Sequence, residues 1–126
     1  MIDYINREKS INKYKVSNEN EYVFQLASYK FNYTGMLLYR GDKEKILSFK
    51  EAELLKLLCQ NLNKLLSREF LLKTIWGNDD YFLGRSMDVF ISRLRKHLKN
   101  DKTITIVSIR SRGFKLEVKE QYSKLL

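Results

Sequence analysis

Met87, Ile91, Leu94 and Leu98 recur at intervals of three and four residues, and this spacing constrains the chain's fold more than any other feature. At about 100° per residue they fall within one narrow arc, so the segment from Arg85 to Lys99 is predicted to be a helix with that arc buried. A single buried stripe needs a facing layer, so the rest of the chain must provide a core. The opposite face collects Arg85, Ser86, Val89, Ser92, Arg93, Lys96 and Asn100. A solvated face normally mixes charge signs and has little use for a valine at its centre. This face is basic and hydroxyl-bearing, with Val89 among its charges.

The charge distribution points the same way. The 126-residue chain holds 24 Lys+Arg against 15 Asp+Glu, a formal charge of +9. Such an excess speaks of partners rather than of fold: nucleic acid or an acidic surface. Residues 85–115 carry nine basic side chains and two acidic ones, Asp88 and Asp101, whereas residues 1–21 balance four against four. A charge serving solubility alone would be spread more evenly.

Two further helices are predicted upstream. Ser48 with Glu51 three residues on is a capping-box pattern, and Leu54, Leu55, Leu58 and Leu62 follow at helical spacing. Ser67 opens the next, with Glu69 in its first turn, buried Leu71, Leu72, Ile75 and Trp76, and Gly77 as its stop. A loop from Asn78 to Gly84, containing Asp79, Asp80, Tyr81 and Phe82, leads to the third helix. Tyr22 to Leu47, punctuated by Thr34-Gly35 and Arg40-Gly41-Asp42, fits three or four short antiparallel strands. After the third helix, Thr103–Ile109 and Phe114–Val118 alternate as strands around Arg110-Ser111-Arg112-Gly113, a tight turn bearing two arginines. The organisation expected is a linker, or the tail of an upstream domain, over 1–21, one α+β domain over 22–118, and a short tail over 119–126.

Duplex DNA has a major groove wide enough for one helix. Phosphates call for cations, hydroxyls and free N–H groups, while base edges call for Arg, Asn or Gln and a small apolar group for the thymine methyl. On this basis Arg93 is a candidate base contact and Val89 a thymine-methyl contact. Arg85, Ser86 and Lys96 are candidates for phosphates, and Arg95, nearer the core edge, for the backbone. Arg110 and Arg112 at the hairpin tip suit a narrow, electronegative minor groove. An amphipathic helix with an accidentally basic face, and a turn with ordinary surface arginines, would give the same spacing. His97 and Cys59 are the only histidine and cysteine, so the usual zinc ligand sets cannot be assembled. Cys59 falls beside the apolar stripe of the first helix. Asp79-Asp80 lacks an accompanying catalytic group, and no phosphate-binding glycine motif, nucleophile elbow or triad is visible. No enzyme, metal or cofactor is expected. With no signal-type apolar region or membrane span and a lone cysteine, the expected location is the cytoplasm.

Four segments in order resemble the DNA-binding effector domain of OmpR/PhoB-type response regulators. They are Leu47–Leu55, Ser67–Gly77, Arg85–Lys96 and Ser108–Phe114, and the likeness runs from about Tyr22 to Val118. The aromatic style is similar to that of the RprY-like subgroup. The resemblance implies a winged helix-turn-helix: an N-terminal four-stranded antiparallel sheet, three helices and a C-terminal β-hairpin wing. It implies tandem binding to direct repeats and control of transcription. Val89 and Arg93 match base-reading positions, Ser86 and Arg95 backbone-contacting ones, Ser108 a phosphate-contacting hydroxyl, and Arg110 the wing arginine. The 77–84 loop matches the segment that touches RNA polymerase. Three positions depart from the pattern. Ser92 stands where a basic residue is common, Phe90 where histidine is frequent, and Ser111 where the wing turn has its first glycine. No receiver domain with its phosphoacceptor aspartate is present in these residues. The expected chain is thus a fragment or a stand-alone regulator, which a histidine kinase reaches only through a receiver domain.

Two rivals remain at this level. One is a winged-helix protein-interaction module with incidental DNA affinity. The other is a single-strand or RNA binder, if Tyr29, Phe31 and Tyr33 face outward for stacking.

Overall fold

The apolar alternation of residues 22–38 builds the first layer. The computed structural model describes residues 14–18, 21–78 and 81–119. Strands β1 (Tyr14–Asn18), β2 (Glu21–Leu26), β3 (Tyr29–Asn32), β4 (Leu37–Arg40) and β5 (Lys43–Ile46) form one antiparallel sheet in chain order. Phe24 pairs with Phe31, and Phe31 with Leu38, so one face is a continuous apolar row. The Phe24 and Phe31 rings stack at 5.7 Å between centroids. Gly41, at φ 63°, turns the two-residue β4–β5 connection, a conformation that costs glycine nothing. The β2–β3 turn has no glycine, and Ala27 takes the left-handed backbone there at φ 53°.

The four expected strands are all present, and β1 adds a fifth within the stretch expected to be a linker. It pairs with β2 through the backbone, Tyr14 opposite Phe24; the alternation Tyr14-Lys15-Val16-Ser17 is the strand signal that the linker reading passed over.

Helix α1 (Phe49–Gln60) begins at the expected capping box. Ser48 Oγ accepts from Glu51 N at 3.2 Å, and Ser48 N donates to Glu51 Oε1 at 2.7 Å. Leu54, Leu55 and Leu58 are fully buried, while Leu62 lies past the helix end and is half-buried. Helix α2 (Arg68–Leu71) is capped by Ser67 Oγ, which accepts from Phe70 N at 3.0 Å. It continues without a break as a π-helical turn (Leu72–Trp76), stopped by Gly77 in the left-handed conformation. Leu71 and Leu72 are buried as expected, but Ile75 and Trp76 only in part.

Helix α3 runs Tyr81–His97 and so opens four residues before the expected Arg85. Gly84 is a poor helix former, and the acidic and aromatic residues before it read as loop. Gly84 is buried in the first turn of α3, and Arg68 Nη2 donates to its carbonyl at 3.3 Å.

A second sheet closes the molecule. Strands β6 (Leu66–Ser67), β7 (Ile104–Ile109) and β8 (Gly113–Val118) lie in the order β6-β8-β7, antiparallel throughout. The two-residue β6 is too short to have a sequence signature. It approaches β8 so closely that a Cβ on Gly113 would lie 1.9 Å from the Leu66 carbonyl oxygen. Both sheets and all three helices meet in one apolar core that includes Phe31, Leu55, Leu71, Met87, Ile91, Leu94, Ile106 and Leu116. The architecture is α+β, three helices against an N-terminal sheet with a C-terminal hairpin wing. No helix among the described residues is long and apolar enough to cross a membrane.

Candidate nucleic-acid interface

The phasing of α3 is as its sequence implied. Met87, Ile91, Leu94 and Leu98 are 0–3% exposed. On the far side Arg85, Val89, Ser92, Arg93 and Lys96 are exposed, Ser86 is half-buried, and Val89 shows 48% of its surface. Arg85, Val89, Ser92, Arg93 and Lys96, with Asp88, line an open depression of about 580 Å³. The basic residues of the last turn, Arg95, Lys96 and His97, suit the negative end of the helix dipole.

Asp88 would oppose a phosphate partner, but it is not left alone. Arg68 Nη1 donates to its Oδ1 at 2.9 Å, and the Arg68 guanidinium also lies 5.6 Å from the centre of the Phe114 ring. One side chain thus ties α2 to α3 and β8 and cancels the acid on the exposed helix. Sequence reading missed this role, because the two charges sit on different elements and share no periodicity.

Arg95 is committed inward. Its Nε and Nη2 donate to Ile106 O at 3.0 and 2.6 Å, and Nη2 donates to Ser108 Oγ at 2.8 Å. These bonds lock β7 to α3 and place the exposed Ser108 beside the helix. At the wing tip Arg110 and Arg112 are exposed, and Arg112 N donates to Ile109 O at 2.9 Å to close the turn. Ser111 takes φ 64°, the left-handed position that such a turn normally gives to glycine. The departure noted in the sequence therefore keeps the turn and strains it.

Asp79 and Asp80 lie outside the described residues. Tyr81 and Phe82, expected in the loop, belong by backbone to the first turn of α3. The aromatic sheet residues settle the single-strand rival: Phe31 and Tyr29 are 0% and 4% exposed. The Tyr33 hydroxyl bonds to Glu53 of α1, and burial together with that carboxylate pushes the phenol up to about 12. Phe31 and Tyr29 are core and Tyr33 packs half-buried against it, so these three rings do not face outward as a stacking surface. Cys59 is likewise core, its thiol pushed up by burial.

Behind the interface, Asp101 joins the molecule's two ends. Its Oδ2 accepts from Ser28 N at 3.0 Å and Ser28 Oγ at 2.5 Å, on the β2–β3 turn. Its Oδ1 accepts from Thr103 N at 2.9 Å and Thr103 Oγ1 at 2.6 Å. Burial alone would raise this carboxyl, but the four hydrogen bonds outweigh it and hold Asp101 well below the usual carboxylate range.

The family described as "Transcriptional regulatory protein, C terminal" matches residues 42–116. Transcriptional regulatory protein RprY of Bacteroides fragilis is 46% identical over 106 residues, 84% of this chain and 45% of that protein. Heme response regulator HssR of Staphylococcus saprophyticus is 33% identical over 108 residues, 85% of this chain and 47% of that protein. The chain therefore spans less than half the length of these curated relatives. The Klebsiella pneumoniae RstA DNA-binding domain, solved in complex with the RstA box, superposes with a TM-score of 0.64 at 27% identity. That match covers 75% of this chain and 96% of the RstA domain.

Proposed function

The chain belongs to the family of transcriptional regulatory protein C-terminal domains, and from that premise we propose that residues 22–118 bind double-stranded DNA sequence-specifically to regulate transcription. α3 enters the major groove. Val89 and Arg93 contact base edges, Ser92 lies beside them, and Arg85, Ser86 and Lys96 face phosphates. Arg95 presents Ser108 to the backbone and keeps Nη1 for a phosphate of its own. Arg110 and Arg112 lie along the minor groove. The observation that carries this reading is the exposed face of α3, where Val89 at 48% exposure sits among basic and hydroxyl side chains beside an arginine-tipped hairpin. A protein-interaction module fits less well, since the centre of a protein interface is depleted in charge.

The family likeness supports a finer reading. Two copies bind direct repeats in tandem, and Asp79, Asp80, Tyr81 and Phe82 meet RNA polymerase. The domain works in the cytoplasm, and a histidine kinase reaches it only through a receiver domain.

Selection from random duplexes, with wild type and Arg93→Ala, tests the reading. The expected result is an enriched, repeated motif, and a loss for Arg93→Ala of about 1–3 kcal/mol confined to particular positions. Absence of a motif, or wild-type behaviour of Arg93→Ala, would overturn it. Log affinity should fall with log salt by about 0.9 per phosphate neutralised.

A further inference from the structure

Arg93 does not stand alone on α3. Its guanidinium carbon lies 5.1 Å from the centre of the Phe90 ring, one helical turn back, where a helical side chain leans. Phe90, half-buried, packs on Trp76 with ring centroids 5.9 Å apart and planes at 46°. Trp76 is itself held on another side. Lys50 Nζ sits 5.2 Å from the Trp76 ring centre and donates to Ile75 O at 2.8 Å. Two cations thus bracket an aromatic pair, and the stack runs from the start of α1 through the end of the π-turn to the exposed face of α3. Among the described residues no carboxylate pairs with Arg93, and the Phe90 ring is the contact its guanidinium makes.

We propose that Phe90, backed by Trp76, is a positioning residue that holds the Arg93 guanidinium ready to read one guanine, and so sets specificity at that position. The proposal rests on the DNA-reading assignment above. An unrestrained surface arginine samples many rotamers, and freezing it on binding weakens the contact. A guanidinium already lying on a ring face has fewer states to lose. Bidentate recognition of guanine O6 and N7 also rewards a fixed orientation, whereas a phosphate contact tolerates a swinging cation. Phe90 therefore affects discrimination more than overall affinity.

Two measurements test this. In the DNA-free protein, 15N relaxation of the arginine Nε–Hε groups has internal references. Arg95 is tied by three hydrogen bonds to β7, and Arg110 is exposed at the wing tip. Arg93 is expected to be clearly more ordered than Arg110, though less than Arg95; mobility equal to that of Arg110 overturns the proposal, and this needs no variant to fold. The second measurement repeats binding-site selection with Phe90→Leu, which keeps bulk and removes the ring, and Phe90→Tyr, which keeps the ring. Phe90→Leu should reduce discrimination at the Arg93-dependent guanine by about two- to five-fold, the range of an exposed cation–π contact, with an unchanged salt slope. Phe90→Tyr should restore it. Equal losses at every position, or no loss, overturn the positioning role while leaving DNA reading intact. If wild type selects no motif, the DNA-reading assignment itself fails and the specificity claim falls with it.

Discussion

At the scale of single residues, the exposed face of α3 is legible from sequence and the residues that condition it are not. Val89 and Arg93 are visible because helical phase alone separates them from Met87 and Leu94. Arg68 is invisible, because its meaning depends on Asp88 twenty positions away. That pair makes a prediction. Arg68→Ala leaves Asp88 uncancelled on the face proposed to meet DNA and also removes the contacts to Gly84 O and the Phe114 ring. The Arg68 and Asp88 side chains are 31% and 53% exposed, so the ion pair alone contributes little to folding. Losing all three contacts should cost about 1–2 kcal/mol in urea unfolding. DNA affinity should fall as well, and Arg68→Ala/Asp88→Asn should recover the electrostatic share of that fall but not the stability. Equal DNA affinity for the single and double variants would show that Asp88 does not face the DNA.

At the scale of elements, the ends that carry side-chain caps are those the sequence announces. Ser48, Glu51, Ser67 and Gly77 each perform the local hydrogen bond or backbone turn their residue type favours. The start of α3 is misread because Gly84 and the acidic and aromatic residues before it have the composition of a loop, and β6 escapes because two residues cannot show a period. Yet β6 governs the wing. Ser67 and Gly113 are directly paired, and the missing Cβ at Gly113 lets the strands approach. Gly113→Ala should push β8 from β6 and lower stability by about 2–4 kcal/mol. Because β8 carries the hairpin, DNA affinity should fall further than fraction folded accounts for. Amide exchange is the direct check: protection should drop at β6 and β8 before it changes in α1. Unchanged protection there would mean that the backbone absorbs the methyl group.

At the scale of the whole molecule, the segregation of charge into residues 85–115 already marks in the sequence the half proposed to bind DNA. What sequence could not convey is how the N-terminal sheet is fastened to that half. Asp101 does this from the loop after α3, through Ser28, whose Oγ also accepts from Arg40 Nε at 2.9 Å. Short polar residues in loops have no period, so the contact across 73 positions had no signal. Its chemistry fixes a pH dependence. Because the folded carboxyl is held below its unfolded value of about 3.9, the stabilisation is fully present above that value and is lost as pH falls towards the folded pKa. Asp101→Asn keeps the outline but removes the charge and turns one acceptor oxygen into an NH2 group, so either the two bonds from Ser28 or the two from Thr103 lose their acceptor. It should cost about 1–3 kcal/mol at pH 7, measured by urea unfolding. The gap between wild type and variant should hold steady from pH 7 to 5 and narrow below about pH 4, because only wild type has this charge to lose. A gap that stayed constant to pH 3 would mean that the charge itself contributes nothing and that the lost acceptor oxygen accounts for the whole difference. With the staple weakened, the sheet should loosen from the α3–β7 loop, and exchange at Ser28 N and Thr103 N should accelerate together.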